Sequence, residues 1–154
     1  MARIPPDPPQ TLGQLDRELT DLAVMATAAA IGCAWCMDFG YREATVNHAV
    51  PTEKICGTAD WQDSKVFSQL ELLVMEYAGA MTVTPPRVTG AMVAALCEHL
   101  NEAQLVELTA IIAVENLRSR INSALGLTAQ GFTGRCELPA ADPAPAGSSP
   151  DRGD

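Results

Sequence analysis

Apolar residues at helical spacing run through the first third of the 154-residue chain. They recur at alternating steps of three and four, at Leu12, Leu15, Leu19, Leu22, Ala26 and Ala29. This period gives one apolar face on an α-helix of about five turns. Thr11 and Gln14 have the spacing of a capping box, and Gly32 is a typical helix end. The sequence therefore predicts a long amphipathic helix that ends just before a pair of cysteines, Cys33 and Cys36.

Later segments repeat the helical period. Asp63 is predicted to cap a helix whose apolar side carries Phe67, Leu70, Val74, Tyr77 and Met81. A short helix is predicted over residues 89–97, and Asn101 with Gln104 should cap a last helix that continues to Gly126. Two further short helices are predicted near residues 42–49 and 52–56. Together these patterns predict an all-α bundle of about six helices.

The two ends of the chain differ from its middle. Residues 1–10 contain four prolines, and residues 135–154 are rich in Pro, Ala, Gly and Ser with little to bury. We expect one helical domain over residues 11–134, with a disordered tail on each side. The low aromatic content of 5% agrees with packed helices rather than strands.

Charge and hydropathy exclude several classes of partner. The net charge is −9, and the basic residues are scattered, so nucleic acid is not an expected partner. The start of the chain lacks the apolar core of a secretory signal, and its longest apolar stretch, residues 22–35, is too short to span a bilayer. We expect a cytoplasmic protein without a membrane partner.

Cys33 and Cys36 are the two cysteines, among five, that lie close together in sequence. Residues three apart on a helix share a face, so a small rotation brings their sulfurs into bonding range. The N–H groups and dipole of a helix starting at Cys33 would stabilise a thiolate there, which favours Cys33 as the nucleophile. We expect both sulfurs to be reachable by solvent and to cycle between thiol and disulfide, with no cofactor and no metal.

Two other roles for this pair stay open. A structural zinc site normally needs a second ligand pair at similar spacing, and Cys97 with His99 has one intervening residue instead of two. Cysteine also packs well in Ala-rich helices, so the pair could be two inert buried residues.

The segment from Ile31 to Gly40 resembles the signature of the carboxymuconolactone decarboxylase and alkylhydroperoxidase D (AhpD-like) superfamily, in which a helix ends in Gly-Cys-x-x-Cys. Residues 59–64, 76–86 and 105–127 are similar to that superfamily as well. The resemblance implies an all-helical homo-oligomer (dimer, trimer or hexamer) with thiol peroxidase or disulfide reductase activity. It also implies that Cys36 attacks the hydroperoxide and Cys33 resolves the product, the reverse of the order favoured by the helix dipole.

The chain departs from the pattern of the cysteine-bearing branch at two positions. That pattern has a glutamate twelve residues before the first cysteine and a histidine four residues after the second, and these positions are Asp21 and Gly40 here. Aspartate keeps a carboxylate on a shorter stem, whereas glycine transfers no proton. His48 and His99 are the candidates for a substitute base.

Polar residues interrupt the apolar pattern of the last helix. Glu115, Ser119 and Asn122 recur at steps of four and three on one side. Such a stripe fits a subunit interface, the floor of a thiol pocket or a solvated face.

The sequence thus favours a thiol oxidoreductase that acts on hydroperoxides or small disulfides and is regenerated by an unidentified thiol reductant. One alternative is a lactone decarboxylase-like enzyme on the same fold, although that branch relies on histidine chemistry. The other is a non-catalytic helical oligomer that binds a small ligand or a protein, which the missing histidine favours.

Overall fold

The structure, a computed structural model, describes residues 14–134 and contains helices and no strand in that range. Six α-helices follow one another as α1 (Arg17–Ile31), α2 (Ala34–Arg42), α3 (Thr52–Gly57), α4 (Gln69–Thr82), α5 (Gly90–Cys97) and α6 (Glu102–Ala124). A π-helical turn at Glu43–Asn47 extends α2, and a short 3₁₀ turn occupies Trp61–Asp63. The predicted all-α fold is confirmed. The tails expected at residues 1–10 and 135–154 lie outside the described residues.

Local capping sets most helix ends. The Thr89 side chain accepts the N–H of Met92, and Asn101 forms a reciprocal capping box with Gln104, so both predicted starts are confirmed. The π-helical turn lies within the predicted helix at residues 42–49. The helix predicted at residues 52–56 is α3, which ends one residue later.

Two predicted helix starts are wrong. Helix α1 begins only at Arg17, because Asp16 accepts the N–H of Glu18, while the N–H of Gln14 donates to Glu107 instead of entering a helix. Helix α4 is capped by Ser68, which forms a capping box with Glu71. Asp63 lies at the end of the 3₁₀ turn, five residues too early to cap α4.

Helix α1 is the central element and packs against α2, α4 and α6. Its apolar face, with Leu22 and Met25 almost fully buried, meets Val74 and Met75 from α4 together with the buried leucine and isoleucine of α6. Each such side chain contributes about 1.5–3 kcal/mol on burial, which holds α1 in place between its neighbours. Within residues 14–134, no helix is long and apolar enough to cross a membrane.

The junction between α1 and α2 is tight. Gly32 adopts a left-handed conformation with φ 78° and donates its N–H to the carbonyls of Ala28 and Ala29, which closes α1 as predicted. Cys33 is the N-cap of α2, so α2 turns back along α1 immediately after the glycine. The fold therefore fixes the cysteine pair at the corner of a helical hairpin.

Candidate active site

The cysteine pair occupies the first turn of α2, where the sequence predicts it. The Cα atoms of Cys33 and Cys36 are 5.2 Å apart, and the two sulfurs form a disulfide. The Sγ of Cys33 also accepts the N–H of Cys36 at 3.2 Å, as an N-cap side chain does. This position places the Cys33 sulfur next to the partial positive charge of a helix N-terminus.

The two cysteines are buried, and the expectation that solvent reaches both sulfurs is wrong for this disulfide form. Cys33 is 1% exposed and Cys36 is 0% exposed. The first turn of α2 packs between α1 and the C-terminal part of α6, which shields it. Burial by itself also fits two inert core residues, so the disulfide is the observation that favours redox chemistry.

Asn122 on α6 contacts the disulfide directly. Its Nδ2 donates to the Sγ of Cys36 at 3.3 Å, across 86 positions of sequence. Asn122 belongs to the polar stripe with Glu115 and Ser119, which are 1% and 0% exposed. The solvated-face interpretation of this stripe is therefore wrong, and Asn122 forms part of the thiol site.

Glu115 is a buried carboxyl with incomplete hydrogen bonding. Its Oε1 accepts the hydroxyl of Ser119 at 2.8 Å. Its Oε2 lies 3.0 Å from a guanidinium nitrogen of Arg118 but has no hydrogen-bond partner, so this contact is an ion pair without hydrogen-bond geometry. Burial raises the pKa of Glu115 above 4.5, against the opposing effects of Ser119 and Arg118.

Asp21 and His48, both predicted as site residues, are brought together. The Nδ1 of His48 lies 2.7 Å from the Oδ2 of Asp21. The π-helical turn Glu43–Asn47 delivers His48 to this position, since the N–H of His48 donates to Glu43 at its end. Burial raises the pKa of Asp21 above 3.8, while its hydrogen bond and ion pair with His48 act in the opposite direction.

Met25 separates this Asp–His pair from the disulfide. A β-carbon built at Gly40 would lie 2.7 Å from the Sδ of Met25, so the methionine fills the space beside the glycine. Gly40 follows Cys36 by one helical turn, and Met25 follows Asp21 by one turn on the helix that runs the other way. The Met25 and Gly40 contact therefore lies between Cys36 and the Asp21–His48 pair.

His99 takes no part in the Asp21–His48 pair. It is exposed in the turn between α5 and α6, and its imidazole forms no hydrogen bond or ion pair with any residue from 14 to 134. Its proposed companion in a zinc site, Cys97, is an exposed free thiol. In this part of the chain, no three His, Cys, Asp or Glu side chains converge as metal ligands would.

Sequence reasoning missed Asp38, two residues beyond Cys36. Its carboxylate accepts the N–H groups of Gln130 at 2.6 Å and Thr133 at 2.7 Å, and the side chain is 1% exposed. Burial would raise the pKa of Asp38, but these N–H groups more than offset it and hold the pKa below 3.8. The partners are backbone groups more than 90 positions away, so no local pattern reveals them.

Two aromatic contacts also lie along α2. The rings of Trp35 and Phe39 stack with centroids 5.0 Å apart, and the guanidinium of Arg42 lies over the ring of Phe132 at 5.3 Å. The second contact and Asp38 together hold residues 130–133 against α2.

Comparison with known sequences and structures now identifies the family. The carboxymuconolactone decarboxylase family matches residues 10–80, a range that contains α1, the cysteine pair and most of α4. Residues 10–80 belong to the carboxymuconolactone decarboxylase family. The chain is also 36% identical over 125 residues to the uncharacterized protein YnjA of Escherichia coli (strain K12), covering 81% of this chain and 66% of that protein.

Solved structures share the AhpD-like fold of this family. The debrominase Bmp8 has a TM-score of 0.71 and 22% identity, with 80% of this chain and 66% of that chain covered. An Agrobacterium tumefaciens protein of unknown function, described as an AhpD antioxidant defence candidate, has a TM-score of 0.68 and 18% identity, with coverages of 75% and 80%. The chain spans just under two thirds of the length of YnjA and of Bmp8.

Proposed function

We propose that this family member is a thiol oxidoreductase in which Cys33 and Cys36 cycle between a dithiol and a disulfide while reducing a hydroperoxide or a small disulfide. The observation that carries the proposal is the disulfide itself, formed at the N-terminus of α2. A helix N-terminus stabilises a thiolate, and a thiolate is the nucleophile that this chemistry requires.

Cys36 is the proposed attacking residue. Asn122 donates a hydrogen bond to its sulfur, and such a donor stabilises negative charge at that atom. With a hydroperoxide, the Cys36 thiolate attacks the terminal oxygen, the O–O bond breaks, and the alkoxide takes a proton and leaves as the alcohol. Cys33 then attacks the sulfur of the Cys36 sulfenic acid, water leaves, and the disulfide forms.

Regeneration requires an external thiol reductant. Two equivalents of thiol, or one dithiol, attack the disulfide by exchange and return both cysteines to the reduced state. Because the pair is 0–1% exposed, the reductant reaches it only after a local opening of the residues around α2. The free energy needed for this opening makes reduction of the disulfide slower than reduction of an exposed cysteine pair.

The Met25 and Gly40 contact affects which class of substrate should react faster. No proton donor occupies the position one turn after Cys36, so the alkoxide must take its proton from water or from Cys33. When Cys36 attacks a disulfide substrate, the leaving group is a thiolate. A thiolate whose conjugate thiol is acidic leaves without a proton donor. We therefore expect faster reaction with small disulfides than with hydroperoxides.

The test follows cysteine oxidation by mass spectrometry in a Cys97→Ser background, which removes the exposed thiol. The reduced protein is treated with one equivalent of hydroperoxide or of a small aromatic disulfide. We expect a reversible loss of two hydrogens that maps to Cys33 and Cys36. In Cys33→Ser a sulfenic acid or mixed disulfide should accumulate on Cys36, whereas Cys36→Ser should react much more slowly.

Unchanged thiols at the pair in both treatments would reject the proposal. Turnover of a muconolactone by the same protein would then support the decarboxylase-like alternative. Trapping on Cys33 in Cys36→Ser, with an inert Cys33→Ser, would reverse the order of attack.

Reductive debromination is a second candidate reaction. The stacked, half-buried rings of Trp35 and Phe39 lie on the same helix as Cys36 and offer an aromatic surface on α2. The debrominase Bmp8 shares the fold, and a cysteine-to-alanine variant of it has been solved with 2,3,4-tribromopyrrole (TM-score 0.67, 22% identity, 84% of this chain and 64% of that chain). A dithiol would give the debrominated ring, HBr and the disulfide, so bromide release from a bromopyrrole is the measurement.

A further inference from the structure

A groove between α1 and α6 is lined by residues that the proposed thiol chemistry does not use. Its volume is about 330 Å³, which lies within the range of small-molecule sites. Such sites combine apolar walls with a few polar groups that fix the orientation of the ligand. The walls of this groove include Val24 from α1 together with Glu107, Ala110, Val114, Glu115 and Arg118 from α6.

The carboxyl of Glu115 is a polar group of this kind. Its side chain is 1% exposed, and its Oε1 accepts the hydroxyl of Ser119. Its Oε2 has no hydrogen-bond partner within residues 14–134. A buried acceptor without a hydrogen bond is destabilising, and more so when it carries a charge. A ligand in the groove that donates a hydrogen bond to Oε2 would therefore gain free energy on binding.

Arg118 satisfies Oε2 only in part. A nitrogen of its guanidinium lies 3.0 Å from Oε2 without hydrogen-bond geometry, and the Arg118 side chain is 46% exposed. An ion pair with one partner in solvent is weak, because water screens the attraction. The guanidinium can therefore move into solvent with little loss and leave Oε2 to a ligand.

The charges around the groove favour a cation as that ligand. Glu107 precedes Glu115 by eight residues on α6, about 12 Å along the helix axis, and its carboxylate is held by the N–H groups of Gln14 and Leu15. Among the described residues that line the groove, Arg118 is the one base against these two acids. The whole chain carries a net charge of −9, which attracts cations further.

We propose that this groove binds a small organic amine as its ammonium ion, which donates a hydrogen bond to Oε2 of Glu115. Aliphatic amines are protonated at neutral pH, as the lysine side chain is. The alkyl or aryl body of the amine would lie against Val24, Ala110 and Val114. Because Ala110 and Val114 are exposed in the free protein, covering them adds apolar burial to the charged hydrogen bond.

This binding mode predicts an order of affinity for ligands that share one body. Phenethylamine offers both the hydrogen bond and the positive charge, whereas phenethyl alcohol offers the hydrogen bond alone. Phenylacetate offers neither and is repelled by the carboxylates. Calorimetric titration of the full 154-residue chain at neutral pH measures the three affinities. The methyl signals of Val24 and Val114 in NMR spectra should shift as the amine binds, which places it in the groove.

Two variants test the residues that carry the site. Glu115→Gln keeps the size of the side chain and removes its charge, so it should weaken amine binding about tenfold or more, the scale of a hydrogen bond to a charged group. Glu102→Gln is the matched control, since it removes the same charge from an exposed position of α6 outside the groove and should change the affinity little. Ala110→Phe fills the groove from an exposed position and should abolish binding.

The proposal is overturned if phenethylamine does not bind, if the three probes bind equally, or if the methyl shifts lie outside the groove. Equal losses in Glu115→Gln and Glu102→Gln would also overturn it, because they would show attraction to the net charge instead of to one carboxyl. The oxidation of Cys33 and Cys36 should be the same in Ala110→Phe as in wild type. Failure of the amine site is therefore distinguishable from failure of the thiol chemistry.

Discussion

The sulfur of Met25 occupies the space that any side chain at Gly40 would need, 2.7 Å from the position of its β-carbon. Gly40 is the position at which the cysteine-bearing branch of the family, as the resemblance implies, has a histidine. The space beside this position is thus filled by Met25 from the facing helix. Restoring the histidine requires a change at Met25 as well.

We predict that Gly40→His alone destabilises the protein by about 1–3 kcal/mol, because it overpacks a filled core position. Met25→Ala combined with Gly40→His should recover much of this loss and raise the rate of cysteine oxidation by hydroperoxide about 10²-fold, the lower range for general acid–base catalysis. Urea unfolding and single-turnover thiol oxidation measure the two effects. Met25→Ala alone is the control and should show no gain in rate.

Asn122→Ala should slow the reaction of Cys36 with a hydroperoxide or disulfide about tenfold, since it removes a hydrogen bond to a sulfur that becomes charged. Asn116→Ala is the matched control on the same helix, because the Asn116 amide donates to Thr82 and Ile112 instead. Stopped-flow measurement at several pH values separates a lower thiolate fraction from a general loss of stability. Equal effects of the two variants would argue against a specific role for Asn122.

Asp38→Asn should lower the free energy of unfolding by about 1–3 kcal/mol at pH 7, because a buried carboxylate that accepts two backbone N–H groups is replaced by an amide. The pKa of Asp38 is lowered by folding, so its stabilisation is present above 3.8 and is lost as the pH falls through the lower folded value. The difference between variant and wild type should therefore shrink below pH 3.8. Urea unfolding between pH 2.5 and 7 checks this, and a constant difference would contradict it.

Glu115→Gln should gain stability relative to wild type as the pH rises. The pKa of Glu115 is raised above 4.5 by burial, so between 4.5 and the folded value the unfolded chain loses its proton first and the folded state is disfavoured. The glutamine amide does not ionise, so the variant does not lose stability in this way. Unfolding free energies at pH 4 and pH 8 test the sign, with Glu53→Gln at an exposed position as the control.

Local patterns predicted the parts of the fold that depend on neighbouring residues. The helix start near Thr89, the cap at Asn101 and the helix end at Gly32 are confirmed, because a cap is a hydrogen bond within one turn. The capping pattern at Thr11 and Gln14 failed, since Asp16 offers a competing cap closer to α1. The predicted cap at Asp63 is wrong for the same reason, because Ser68 lies closer to α4 and caps it.

For the candidate site, the sequence determined the cysteine pair and its place at the start of a helix, because three-residue spacing and a terminating glycine act locally. Only the tertiary structure decided that the pair is buried, that Asn122 reaches Cys36, that His48 meets Asp21, and that Met25 stands beside Gly40. Each of these contacts joins different helices or loops, and which side chains meet there depends on how the whole bundle packs.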